Sequence, residues 1–89
     1  MFYVYLLKSL TTKRFYVGYT KELDIRIKQH NNGENKSTKS ARPWRLIYYE
    51  AFLHKNDAIN RERSLKHHAN GLIALKKRLT SSIDGNGEG

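Results

Sequence analysis

Two tyrosines, an arginine, a histidine and one helix-borne glutamate are spaced so that they could meet around a phosphate. Tyr3-Val4-Tyr5 and Tyr16-Val17-Gly18 lie on strand-like runs at residues 2–8 and 14–20, joined by the polar stretch Ser9-Leu10-Thr11-Thr12-Lys13. A β-hairpin is the simplest reading. With its turn centred near Leu10 and Thr11, Tyr5 faces Tyr16 and Tyr3 faces Gly18. Directly opposed Cβ atoms would lie about 4.5–5.5 Å apart. Alternation puts Tyr3, Tyr5, Tyr16 and Gly18 on one face. Phe2, Val4, Leu6, Phe15 and Val17 fall on the other, which is expected to be the core face. A free phenol titrates near about 10 and is a weak base at neutral pH. Nearby cations such as Lys13, Arg14 and Arg26 would favour its phenolate.

Arg26 and His30 stand one helical turn apart. A guanidinium has a permanent charge and a planar fork of donors, which suits charge growing on a phosphoryl group. An imidazole can position a water or move a proton near neutral pH. The plainer alternatives are a surface arginine and a helix-end histidine packed on the core. Glu62 is the second informative position. At about 100° per residue it falls about 40° from Ala58, inside a stripe that also holds Leu65 and Ala69. A carboxylate there needs an ion pair, a solvated cleft or a metal. Arg26 or another basic residue could pair with it. Alternatively, one carboxylate with substrate phosphate and water can hold magnesium. His67 and His68 are neighbours on a helix and face different ways, so they make no metal pair.

These side chains need a scaffold. The 89 residues suffice for one domain, taken as 1–80 with a disordered tail at 81–89. A chain of this length buries about 60–65% of its unfolded surface. After the hairpin, Thr20 is a candidate cap for a helix over 21–31 that ends at Asn31-Asn32-Gly33. Residues 33–43 form a loop rich in Ser, Thr, Asn, Lys and Arg, ending at Pro43. A third strand covers 44–53. A second helix begins near Asn56 or Asp57, and a third spans about 70–79. The expected class is α+β, with a three-stranded antiparallel sheet flanked by helices in the order β-β-α-β-α-α.

The formal charge is +9, from 17 basic and 8 acidic residues. That balance favours a polyanionic partner, nucleic acid before a membrane surface. Lys36, Lys39 and Arg42, interleaved with Ser37, Thr38 and Ser40, look like phosphate-backbone contacts. The absence of cysteine excludes disulfides, thiolate metal sites and cysteine nucleophiles. The apolar start is too short for a membrane span and lacks the features of a signal peptide. A cytoplasmic bacterial protein, able to associate with the nucleoid, is expected.

The two tripeptides, Arg26, His30 and Glu62 together resemble the signature of the GIY-YIG nuclease superfamily, over roughly residues 2–79. The small stand-alone bacterial members are the most similar. Tyr3 replaces the motif's first glycine, and Val4 and Val17 replace isoleucine. Tyr19 stands where several active family nucleases carry lysine. The resemblance implies phosphodiester hydrolysis, with DNA as substrate and one divalent metal, Mg2+ or Mn2+, on Glu62. It further implies that Tyr16 or Tyr5 activates or orients the attacking water. Arg26 would stabilise the transition state, His30 would help to position water or phosphate, and Gly18 would allow close approach at the site. Lys13, Arg14, Lys36, Lys39 and Arg42 would contact nucleic acid. Without a separate DNA-recognition domain, cleavage would be weak, structure-selective or dependent on a protein partner that supplies substrate recognition, as in DNA repair. The other reading is a catalytically silent DNA- or RNA-binding or repair-complex interaction module with the same fold.

Overall fold

In the computed structural model, residues 1–84 are described, Ala69 by its backbone alone; of the tail expected at 81–89, residues 85–89 lie outside them. Strands β1 (Phe2–Ser9) and β2 (Phe15–Thr20) form the hairpin. They are followed by α1 (Leu23–Asn31), a 3-10 turn at Lys39–Ala41, and β3 (Trp44–Phe52). Helices α2 (Lys55–His67), α3 (Ala69–Arg78) and α4 (Thr80–Asp84) complete the chain. The short α4 occupies the first part of the segment expected to be unstructured. The sheet is antiparallel with order β2-β1-β3, the expected α+β arrangement.

The hairpin register differs from the expected one by two residues. Tyr5 pairs with Gly18, Leu7 with Tyr16 and Tyr3 with Thr20. The cause lies in the turn. Ser9 Oγ accepts the backbone N–H groups of Thr11 and Thr12 at 3.1 and 2.9 Å and donates to the Ala41 carbonyl at 2.7 Å. This hydroxyl organises a wider loop than a tight turn at Leu10-Thr11. An even shift preserves which side chains share a face. Tyr5 and Tyr16 therefore remain on one face, diagonally placed, with ring centroids 6.3 Å apart.

Both faces of β1 are buried, because it is the central strand. Val4, Leu6 and Val17 pack with Ala58, Leu65 and Leu75 from α2 and α3. On the opposite face Tyr5 and Leu7 pack with Ala41 and Trp44, bordered by Tyr16, Leu23, Ile27 and Leu46. The presumed phenol face is thus a second small core covered by α1. Tyr19 lies on the α2–α3 side, its ring 6.4 Å from Phe2 and nearly parallel to it. The position where active relatives carry lysine therefore points away from the Tyr5 face.

Local signals set the helix ends. Thr20 does not cap α1; the N-cap is Glu22, and Thr20 Oγ1 instead accepts the Glu22 N–H at 3.0 Å. The helix stops as expected, with Gly33 at φ 79, a left-handed conformation that suits glycine. His54, rather than Asn56 or Asp57, is the N-cap of α2. The 33–43 loop is firmly tied. Asn31 exchanges two hydrogen bonds with the Trp44 backbone, at 3.0 and 2.6 Å, and Trp44 Nε1 donates to the Thr38 carbonyl at 2.8 Å.

Candidate active site

Strand β1 delivers Tyr5, β2 delivers Tyr16, α1 delivers Arg26 and His30, and α2 delivers Glu62. Tyr5 Oη lies 2.8 Å from His30 Nε2, and His30 Nδ1 lies 2.8 Å from Thr38 Oγ1. All three residues are buried. The Tyr16 ring lies against His30, centroids 4.9 Å apart, and is half-buried. The structure therefore separates the two phenols that the sequence left equivalent. Tyr5 is sealed in a hydrogen-bonded network, whereas Tyr16 reaches solvent.

Electrostatics reinforce that division. Burial pushes the Tyr5 phenol up to about 12, and the adjacent Arg26 guanidinium only partly opposes it; the charges of Tyr16 and Glu62 push the same way as burial. The expectation that nearby cations would yield a phenolate fails here, because desolvation of a charged oxygen outweighs one guanidinium. Burial, then the Arg26 charge, holds His30 below its ordinary value. It is neutral near pH 7. Both ring nitrogens of the buried His30 are engaged, by Tyr5 and Thr38, which gives it a supporting contact within the site.

Gly18 has a packing reason of its own. A Cβ built there would lie 2.3 Å from Cζ and Oη of Tyr5. The missing side chain makes room for the Tyr5 ring, and no substrate need approach for glycine to be required.

Arg26 Nη1 donates to Gln29 Oε1 at 3.2 Å, while its buried Nε has no hydrogen-bond partner. Arg26 lines a polar cleft of about 440 Å3 with Gln29, His30, Glu34, Asn35 and Lys36. A second groove, lined by Asn31, Lys36, Lys39, Ser40, Arg42 and Pro43, continues from it through the shared Lys36. Three of the expected nucleic-acid contacts thus form one track with Arg26. The other two sit elsewhere. Lys13 is exposed in the hairpin loop. Arg14 donates to the Ser37 carbonyl at 2.9 Å and lies over the Trp44 ring at 5.9 Å. Its guanidinium braces the loop. Arg42 Nε is held by the Lys39 carbonyl at 2.8 Å.

Glu62 pairs with Lys66, not with Arg26. The two charged groups are 3.3 Å apart, one turn along α2, and the Glu62 side chain is 23% exposed. Lys66 Nζ also stands 5.2 Å from the Tyr16 ring centre. Lys66 thus links the carboxylate to the accessible phenol.

The family model of the GIY-YIG catalytic domain matches residues 1–78. The chain belongs to the GIY-YIG family. This GIY-YIG domain is 42% identical over 65 residues to a UPF0213 protein of Staphylococcus saprophyticus, covering 72% of this chain and 78% of that one. It is 43% identical over 67 residues to one from Clostridium perfringens, covering 74% and 71%. The solution NMR structure of a Bacillus halodurans UPF0213 protein has a TM-score of 0.51 at 36% identity, covering 85% of this chain and 86% of that one. Among the described residues no helix is long and apolar enough to cross a membrane.

Two residues of the site escaped sequence reasoning. Thr38 was one hydroxyl among several in a basic loop, and only the fold brings it to His30. Lys66 was detectable in principle, as the residue one turn after the glutamate.

Proposed function

We propose that this GIY-YIG domain is a metal-dependent endonuclease that hydrolyses DNA phosphodiester bonds. The observation that carries the reading is the opening of an incompletely satisfied arginine, Arg26, onto a cationic track lined by Lys36, Lys39 and Arg42. A guanidinium with buried donor capacity to spare suits an anion.

Among the described residues no group of three or more His, Cys, Asp or Glu is assembled. Glu62 is partly exposed, a donor that fits Mg2+ or Mn2+ completed by substrate phosphate and water. Such an ion, when bound, polarises a phosphoryl oxygen and offsets its charge. The protein's own groups do the rest. The Tyr16 phenol oxygen orients the attacking water and takes part in moving its proton. Arg26 meets the charge that builds on the phosphoryl oxygens. The Tyr5–His30 pair holds Arg26 and Tyr16 in place without touching the substrate. Lys36, Lys39 and Arg42 hold flanking phosphates and set register along the strand rather than base choice. A protein partner that selects the DNA structure, as in a repair complex, fits a track that contacts backbone alone.

The test is incubation with plasmid, single-stranded, flapped and branched DNA in Mg2+ or Mn2+, with a chelator control. Cleavage that the chelator stops is the expected result. Tight binding without cleavage in any metal would replace this reading with that of a silent binding module.

A further inference from the structure

The hydroxyl of Thr38 lies between two possible partners. It is 3.4 Å from the Asn35 carbonyl, which can only accept, and 2.8 Å from His30 Nδ1. A threonine hydroxyl has one proton. If that proton goes to Asn35, the Thr38 oxygen must accept, and His30 carries its proton on Nδ1. Nε2 is then an acceptor, and the Tyr5 O–H at 2.8 Å must be the donor. The Tyr5 lone pairs are left for a group that can only donate, and Arg26 is that group beside it. The opposite tautomer gives Tyr5 two donors, His30 and Arg26. Its own proton would then be stranded, because among the described residues no acceptor other than His30 stands within hydrogen-bond distance of the phenol.

We propose that Thr38 is a positioning residue that fixes His30 as the Nδ1–H tautomer and, through the Tyr5 O–H, aims the Arg26 guanidinium. The same loop carries Lys36 and Lys39, so the segment that meets flanking phosphates also sets the geometry of the arginine. Trp44 Nε1 clamps the Thr38 carbonyl at 2.8 Å, which holds the hydroxyl in place. The orienting logic is that of a histidine whose second nitrogen is set by the hydrogen bond the first one makes. The effect on rate rests on the nuclease reading; the tautomer does not.

The experiment is a long-range 1H–15N correlation spectrum of uniformly 15N-labelled protein in which His54, His67 and His68, all exposed, are replaced by Gln. His30 is then the sole imidazole. A protonated Nδ1 with a bare Nε2 is expected near pH 7, unchanged in Thr38→Ser and lost or mixed in Thr38→Val. A protonated Nε2 in the parent protein overturns the proposal without any variant having to fold. So does an unaltered tautomer in a folded Thr38→Val. Under single-turnover conditions Thr38→Val should cut about tenfold or more slowly, with DNA affinity unchanged and Thr38→Ser restoring the rate. Equal rates in Thr38→Val and the parent also refute it. If the parent does not cut at all, the nuclease reading fails and the tautomer alone decides this proposal.

Discussion

Replacing Gly18 with alanine should be the most damaging single-methyl change in the sheet. The added Cβ would stand 2.3 Å from Cζ and Oη of Tyr5 and 2.8 Å from Cε1, where ordinary contact begins at 3.4 Å. The ring must therefore retreat by about 1 Å, the difference between those distances. Tyr5 is only 1% exposed, and its hydroxyl is held by His30 at 2.8 Å. Retreat strains the packing and lengthens that bond beyond useful range. Overpacking costs about 1–3 kcal/mol, and leaving buried polar groups unpaired costs about 1–3 kcal/mol. The two effects overlap, so a loss of about 2–4 kcal/mol is expected. In a domain of this size that is a fall of about 10–30 °C in melting temperature. Urea unfolding followed by circular dichroism measures it, on Gly18→Ala, Tyr5→Leu and the double variant. Leucine removes the ring atoms in conflict, so the double variant should lose at least about 1 kcal/mol less than the sum of the singles. A loss below about 0.5 kcal/mol for Gly18→Ala would refute the packing argument, since that is the range of an ordinary surface change.

Further outcomes follow from the charges. Lys36→Ala should reduce the salt dependence of DNA binding by about one unit. Arg14→Ala should leave that slope nearly unchanged and lower the melting temperature instead, because Arg14 braces Ser37 and Trp44. Lys66→Met frees Glu62 from a partly exposed pair worth up to about 1 kcal/mol, so Mn2+ should bind up to about fivefold tighter by water-proton relaxation; weaker binding would mean that Lys66 supports the ion. Burial pushes the Glu50 carboxyl up, but hydrogen bonds from Arg61 and Tyr48 hold it below its usual value on balance. His30 is also held low. Both groups bind fewer protons folded than unfolded, so their stabilisation is complete above the unfolded pKa and is lost as pH falls. Urea stability should begin to fall below the ordinary imidazole value of 6.5 and fall further below the carboxyl value of 4.5, with Glu50→Gln flattening the second decline.

Much of the site could be read in the chain because its parts are rare residues at fixed offsets on regular elements. Tyr16 and Gly18 share a strand, Arg26 and His30 share a helix face, and Glu62 interrupts an apolar stripe. What could not be read depended on one loop's hydrogen bonds and on amphipathic side chains. Ser9 captures two amides and moves the hairpin by two residues. Tyr5 and Trp44 bury their rings while their polar tips find partners, so the face expected to be open became a second core. Arg14 looked like a phosphate contact by charge alone, yet a backbone carbonyl and an indole claim it. The division of labour between Tyr5 and Tyr16 is likewise a matter of burial, set by Tyr5 standing on the central strand and Tyr16 on an edge strand.

The central claim is that Glu62 and Arg26 act on a phosphodiester. Single-turnover cleavage of a branched DNA in Mg2+ by the parent protein, Glu62→Gln and Arg26→Lys tests it most directly, with DNA binding measured alongside. Cutting by the parent is expected, with a loss of about a hundredfold or more in each variant and binding largely kept. Cleavage by Glu62→Gln at the parent rate would contradict it.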